Sequence, residues 1–193
     1  MVKSLASVAL ILLSVSACSS SAPVLGEPSS ASGEAPYVVS DCGVGAPGLD
    51  ANAAPGSGVT NGAVTVVLDG DAPPVVGVAA NATPATELVT QDLATGKGPG
   101  VVASDVITVQ YCGIGLSSRQ IFDSSWMSGQ PLTIGLAQLI PGWQQGLIGL
   151  QPGATRLLVI PGQLAYGPNP PPGIAPNETL VFVVQLQAVN AAQ

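Results

Sequence analysis

The chain has 193 residues, of which 47% are hydrophobic and only 8% are charged, and its formal net charge at pH 7 is -7. Because only four residues are Lys or Arg, the sequence lacks the basic surface with which proteins bind nucleic acid. Histidine is absent, which excludes Ser-His-Asp and Cys-His catalysis and imidazole-based metal sites. We expect no metal and no cofactor.

The N-terminal residues have the pattern of a secretory signal. Lys3 precedes an apolar run from Leu5 to Val15, and small residues follow that run. The run is well short of the ~20 residues that a membrane-spanning helix needs. We predict that residues 1–17 are a signal peptide.

The stretch VSAC, which ends at Cys18, resembles the lipobox of bacterial lipoproteins. This resemblance implies that Cys18 is a lipid anchor and that the exported protein is attached to the outer face of the bacterial cell membrane. The alternative is cleavage by ordinary signal peptidase, which would leave Cys18 as an incidental thiol. Residues 18–36 are mostly Ser, Ala, Pro, Gly and Glu and predict a flexible tether with a reach of about 25 Å.

Residues 37–75 form a Gly/Pro-rich extension with little apolar periodicity. Its one strand candidate is AVTVVL, at residues 63–68. We expect Pro73 and Pro74 to prevent a central strand from pairing next to it.

Residues 76–193 have the apolar periodicity of one folded domain. We predict an α+β fold in which an antiparallel sheet packs around one short helix. Pro141 suits the first turn of the helix, and Trp143, Leu147 and Leu150 share one of its faces. The predicted strands are TELVTQDL at 86–93, SDVITVQYC at 104–112, PLTI at 131–134, ATRLLVI at 154–160 and ETLVFVVQLQAV at 178–189.

Strand alternation places Tyr111 and Cys112 on opposite faces of the sheet. In the last predicted strand it turns alternate residues inward, namely Leu180, Phe182, Val184 and Leu186, and turns Val181, Val183, Gln185 and Gln187 outward. Besides Cys18 the chain has only Cys42 and Cys112, and a single disulfide between them is the simplest prediction for an exported protein. That bond would fix the N-terminal extension to the outer face of the sheet. The alternative is two isolated buried thiols.

Five short motifs follow one another in the order VQYCG, FDSSW, LIPGW, AYG and PNETLVF. In this order and spacing they resemble the FKBP-type peptidyl-prolyl cis-trans isomerase family over residues 86–188. The resemblance implies an FKBP-like sheet wrapped around a helix, with an aromatic pocket between them that takes the proline ring of a substrate. It also implies peptidyl-prolyl isomerase activity on exported, folding polypeptides, binding of macrolide inhibitors, and catalysis without covalent or acid/base steps. We expect a monomer.

Carried over onto matching positions, the resemblance assigns pocket roles to ten residues. Trp143 would be the floor, Tyr166 would donate its hydroxyl to a substrate carbonyl, and Ile174 would cap the pocket from the Pro-rich loop. The expected catalytic residues are Tyr111, Phe122, Asp123, Trp143, Tyr166 and Phe182, and the expected substrate-binding residues are Leu132, Leu139, Ile140 and Ile174.

Each of these residues also has a simpler interpretation. Aromatic side chains in a small domain are usually core, Asp123 could cap a turn, and Tyr166 could lie in a surface turn. The chain has only two Trp, three Tyr and two Phe, however, and five of these seven fall on pocket positions of one family.

Two departures from the family pattern leave a second function open. Leu132 stands where many members have an aromatic residue, and Ser128 stands where many have an Arg that pairs with the pocket Asp, so Asp123 would rely on Tyr111. The alternative is a lipid-anchored proline-peptide binding module or chaperone with little or no isomerase activity. A third hypothesis is a polyproline ligand built on Pro168 and Pro171.

Overall fold

The computed structural model describes residues 37–45, 47–49 and 63–190, which fold into two antiparallel sheets. The predicted signal peptide, Cys18 and the tether lie outside the described residues. In the described part of the chain, no helix is both long and apolar enough to cross a membrane.

The N-terminal sheet has four strands in the order β2-β1-β4-β3. They are β1 (Tyr37–Asp41), β2 (Pro47–Leu49), β3 (Val64–Val67) and β4 (Val75–Ala79). The strand candidate at 63–68 is confirmed as β3, but the expectation that Pro73 and Pro74 prevent a central partner is wrong. Both prolines precede β4, so they remove no hydrogen bond from the ladder, and β4 pairs with β1 on one side and with β3 on the other.

The main sheet has six strands in the order β5-β9-β10-β6-β7, with β8 also paired to β6. Its longest contact is the antiparallel pairing of β6 with β10, which begins at Leu180 opposite Gly115 and ends at Asn190 opposite Val106. The strands are β5 (Val89–Ala94), β6 (Val106–Gly115), β7 (Ile121–Ser124), β8 (Leu132–Gly135), β9 (Thr155–Ile160) and β10 (Leu180–Asn190).

Two short α-helices follow strands of the main sheet. The predicted helix is α2 (Pro141–Gly146), which begins with Pro141 as expected but ends earlier than the apolar periodicity indicated. Leu147 and Leu150 lie beyond its end and are still buried. A single turn that the sequence did not predict, α1 (Ser125–Ser128), follows β7, and the Ser124 side chain caps it by accepting a hydrogen bond from the Met127 N–H.

Both faces of β6 and β10 contribute buried residues, each to a different core. The first core lies on the α2 side and takes Leu180, Phe182, Val184 and Leu186 from β10, as the predicted alternation requires. The second core lies between the two sheets and takes the alternate β10 residues together with valines of the N-terminal sheet. Its members include Cys42, Val64, Val66, Val76, Val78, Cys112, Ile114, Val181 and Val183.

The predicted disulfide between Cys42 and Cys112 is present and lies in the second core. Polar contacts close by support the same attachment: the Ser124 hydroxyl donates to the Cys42 carbonyl over 2.7 Å, and Arg119 Nη2 donates to the Ala80 carbonyl over 2.5 Å. The N-terminal sheet is therefore fixed to the outer face of the main sheet, as the strand alternation predicted.

Removing the disulfide tests how much this attachment stabilises the fold. The bond joins residues 70 positions apart, so in the chain-entropy model it contributes about 4 kcal/mol by restricting the unfolded chain. We expect Cys42→Ala/Cys112→Ala to lower the free energy of unfolding by about 2 to 4 kcal/mol, measured by urea denaturation. A reducing agent should lower the stability of the wild type by a similar amount and leave the stability of the double variant unchanged. Equal urea midpoints for the two proteins without reductant would contradict a stabilising disulfide.

Candidate functional site

A cavity of about 270 Å³ opens between the main sheet and α2. This volume is close to the lower end for small-ligand pockets, which begins at ~300 Å³. Nine of the ten residues that the sequence predicted for a pocket line it, and Ile174 does not. The lining residues are Tyr111, Phe122, Asp123, Leu132, Gln138, Leu139, Ile140, Trp143, Tyr166 and Phe182.

Trp143 lies at the centre of the aromatic lining. It is in the first turn of α2, which packs closely on β9 because Gly142 has no side chain: a Cβ there would lie 2.3 Å from Ile160 Cγ2. The Trp143 ring meets Tyr111 and Phe182 edge to face, with centroids 5.5 and 5.2 Å apart, and is only 3% exposed. Edge-to-face contacts are a favourable arrangement of aromatic rings, so these pairs stabilise this side of the cavity.

Gly113 in β6 allows the other two aromatic rings to lie against the strand. A Cβ at this position would lie 2.6 Å from Phe122 Cζ and 2.7 Å from Phe182 Cε1. The two rings pack edge to face with centroids 5.6 Å apart. The absence of a side chain at Gly113 therefore sets how closely Phe122 and Phe182 approach the sheet.

The polar part of the cavity is a hydrogen bond from the Tyr111 hydroxyl to Asp123 Oδ2, as predicted. Burial raises the pKa of the Tyr111 hydroxyl, and the hydrogen bond to Asp123 and its negative charge act in the same direction. Burial and the charge of Asp123 also raise the pKa of Tyr166. Both hydroxyls therefore keep their protons at neutral pH and can act as hydrogen-bond donors.

Tyr166 reaches the cavity from the start of the Pro-rich loop and is 40% exposed. The base of this loop is closed by a hydrogen bond of 2.8 Å from the Asn177 N–H to the Gly167 carbonyl. Ile174, in the same loop, packs against the first core. Its role as a cap stays a prediction.

The apolar rim comes from the segment before α2 and from β8. The Leu132, Leu139 and Ile140 side chains are half-buried and line the cavity. The backbone N–H of Ile140 has no hydrogen-bond partner among the described residues, so it can donate to a ligand. Leu132 supplies an aliphatic contact at a position where many members of the family have an aromatic residue.

Gln138 is the lining residue that the sequence analysis missed. It is exposed, and its amide makes no hydrogen bond within the described part of the chain. Its position directly before LIPGW was the available signal, because the residues that enter α2 must pass the cavity rim. Ser128 does not line the cavity; its hydroxyl donates to the Ser125 carbonyl over 2.9 Å.

The side chains that line the cavity are better suited to binding a ligand than to breaking a covalent bond. Over residues 37–45, 47–49 and 63–190, no three His, Cys, Asp or Glu side chains come together in a way that could hold a metal ion. The lining contains one carboxylate, one amide, two protonated phenols and apolar side chains. Such a cavity can enclose a small apolar ring and hydrogen-bond the polar groups on either side of it.

Comparisons with known proteins give the chain its family. Residues 98–187 match the FKBP_C family, described as FKBP-type peptidyl-prolyl cis-trans isomerase. The chain is 43% identical over 110 residues to an FK506-binding protein from Streptomyces anulatus, which covers 55% of this chain and 89% of that protein. It is 42% identical over 102 residues to the outer membrane protein MIP of Legionella longbeachae, covering 52% of this chain and 42% of that one.

Among solved structures, the crystal structure of FkpA from Escherichia coli superposes with a TM-score of 0.53 and 42% sequence identity. That match covers 57% of this chain and 52% of FkpA, so the chain spans about half of the FkpA chain but most of the Streptomyces protein. Fold, cavity and sequence agree: the chain belongs to the FKBP-type peptidyl-prolyl cis-trans isomerases, which catalyse rotation about the peptide bond that precedes proline.

Proposed function

We propose that this isomerase accelerates X-Pro bond rotation in exported, folding polypeptides, and that the cavity around Trp143 is its active site. The observation that carries the proposal is the convergence of five aromatic side chains from separate segments of the chain on one cavity. Aromatic side chains are scarce in this sequence, with seven in 193 residues, so their concentration at one place favours a site over ordinary core packing.

In the proposed complex the proline ring lies on Trp143, between Tyr111, Phe122 and Phe182. The Ile140 N–H and the Tyr166 hydroxyl donate to substrate carbonyls on either side of the ring, and Leu132 and Leu139 contact the flanking residues. Ile174 and the stiff Pro-rich loop close over the substrate. Little loop entropy is lost on binding, because proline fixes the backbone in advance.

Binding of this kind can account for catalysis. The uncatalysed barrier to rotation is ~18–20 kcal/mol, which corresponds to a rate on the order of 10⁻² per second. A rate on the order of 10³ per second requires the barrier to fall by about 7 kcal/mol. Planarity of the peptide bond depends on charge separation between nitrogen and oxygen, so a water-poor apolar cavity weakens it. A wall shaped for the twisted bond stabilises the transition state more than the planar ground state.

We further propose export and a lipid anchor. The support is the signal-like sequence before Cys18, the lipobox resemblance, and the similarity to a relative named as an outer membrane protein. Residues 18–36 would then be the tether, residues 37–75 the N-terminal extension and residues 76–193 the isomerase domain. A tether with a reach of about 25 Å would keep the cavity near the membrane surface, where emerging polypeptides fold.

The role of the cavity is tested by changing its aromatic side chains. We expect the full chain to accelerate cis-to-trans conversion of X-Pro peptides, and Trp143→Leu and Phe182→Leu each to lower kcat/KM by at least about tenfold, because the wall shaped for the twisted bond is lost. Trp126→Leu is the matched control, since Trp126 packs against the second core and does not line the cavity.

A folded wild type that binds proline peptides without accelerating rotation would contradict the proposal and favour the binding-module alternative. The specific observation behind that alternative is the aliphatic contact of Leu132, which makes one side of the cavity less aromatic.

The anchor is tested by expressing the full chain and Cys18→Ala in a bacterial host. We expect the wild type to sediment with membranes and Cys18→Ala to be released into the soluble fraction, because a lipid chain supplies the membrane affinity. Mass spectrometry of the mature N-terminus provides the control. An unmodified Cys18, or equal membrane association of both proteins, would contradict the anchor.

A further inference from the structure

Asp123 contributes the only formal charge among the side chains that line the cavity. The carboxylate is exposed at the rim. A carboxylate offers about four lone-pair positions, and Asp123 uses one of them, at Oδ2, for the Tyr111 hydroxyl. Its other oxygen accepts no hydrogen bond within the described part of the chain.

Within residues 63–190, no cation is seen to balance this charge. The three basic residues in the described ranges are placed elsewhere: Arg156 pairs with Asp92, Arg119 donates to the Ala80 carbonyl, and Lys97 is exposed in the turn between β5 and β6. None of the three lines the cavity. Ser128 cannot supply a charge, and its hydroxyl is directed to the carbonyls of Ser125 and Gln130.

We propose that Asp123 is a specificity residue, and that the isomerase prefers polypeptides with a Lys or Arg next to the proline over those with an acidic residue there. The inference rests on the proposed function of the cavity. Neighbouring Cα atoms are about 3.8 Å apart, so a residue next to a bound proline lies within side-chain reach of the rim. Gln138, another exposed lining residue, is uncharged and can accommodate either kind of neighbour.

The expected size of the preference follows from the exposure of Asp123. Exposed ion pairs give small free energies that depend on salt, so attraction for Lys together with repulsion of Glu should amount to about a fivefold difference in kcat/KM. The net charge of -7 adds a general attraction for basic polypeptides that also weakens with salt. A variant that removes the same unit of charge elsewhere separates the two effects.

The test measures kcat/KM of the full chain on three peptides that differ only in the residue before proline, which is Lys, Leu or Glu. At low salt we expect the order Lys, Leu, Glu, with about fivefold between the extremes, and a smaller difference at about 0.5 M salt. Asp123→Asn should bring the Lys-to-Glu ratio close to one. Asp69→Asn, in the exposed turn between β3 and β4, should keep most of the ratio.

Ser128→Arg gives a second, independent arm that leaves Asp123 in place. The new cation would lie on α1, which directly follows β7, the strand that carries Asp123. Its positive charge should offset the negative charge of Asp123 and lower the Lys-to-Glu ratio, and this result does not depend on whether Asp123→Asn folds. Equal rates of the wild type on the Lys and Glu peptides would overturn the inference. So would a Lys-to-Glu ratio that falls equally in Asp69→Asn and in Asp123→Asn. In both cases, acceleration of the Leu peptide would still uphold the proposed function. No acceleration of any peptide would instead contradict the proposed function, and the inference with it.

Discussion

The antiparallel pairing of β6 with β10 is the constraint on which the rest of the structure depends. Successive side chains of a strand point to opposite faces, so this pair divides its residues between two cores. Tyr111 and Phe182 face the cavity, while their neighbours Cys112 and Val183 face the N-terminal sheet. A shift of one residue in register would exchange the two sets, placing the cysteine in the cavity and the tyrosine between the sheets.

Much of the main sheet and of the cavity could be predicted from the sequence. Period-two alternation gave the faces of β6 and β10, five motifs at fixed spacing gave eight of the ten residues that line the cavity, and the family resemblance at PLTI gave Leu132. The Tyr111 to Asp123 hydrogen bond was also predicted, from the absence of an Arg at Ser128. These features depend on local pattern and on short motifs, which a single sequence carries.

Most of the N-terminal sheet could not be predicted. The strands β1, β2 and β4 are short, and β4 gains its partners from β1 and β3, which lie far along the chain or beyond Gly/Pro-rich turns. The valines at 181 and 183 were assigned to an outer face; the N-terminal sheet covers that face and buries them. The sequence predicted that α2 extends to Leu150, because Leu147 and Leu150 continue its apolar face. Both residues are buried although they lie in the turn after the helix, so burial alone does not show where the helix ends.

The proposed rotation needs no proton transfer, because it breaks no covalent bond. Histidine is absent from the chain, and the raised pKa values of Tyr111 and Tyr166 keep both phenols protonated. In the proposed mechanism, shape and low polarity do what acid/base groups do in other enzymes, and Asp123, the one formally charged side chain in the cavity lining, acts on the choice of substrate. The solvent deuterium isotope effect on kcat/KM tests this account most directly. We expect a ratio of about one between H₂O and D₂O, because rotation about the X-Pro bond moves no proton; a ratio of about two or more would show proton transfer in the rate-limiting step and contradict it.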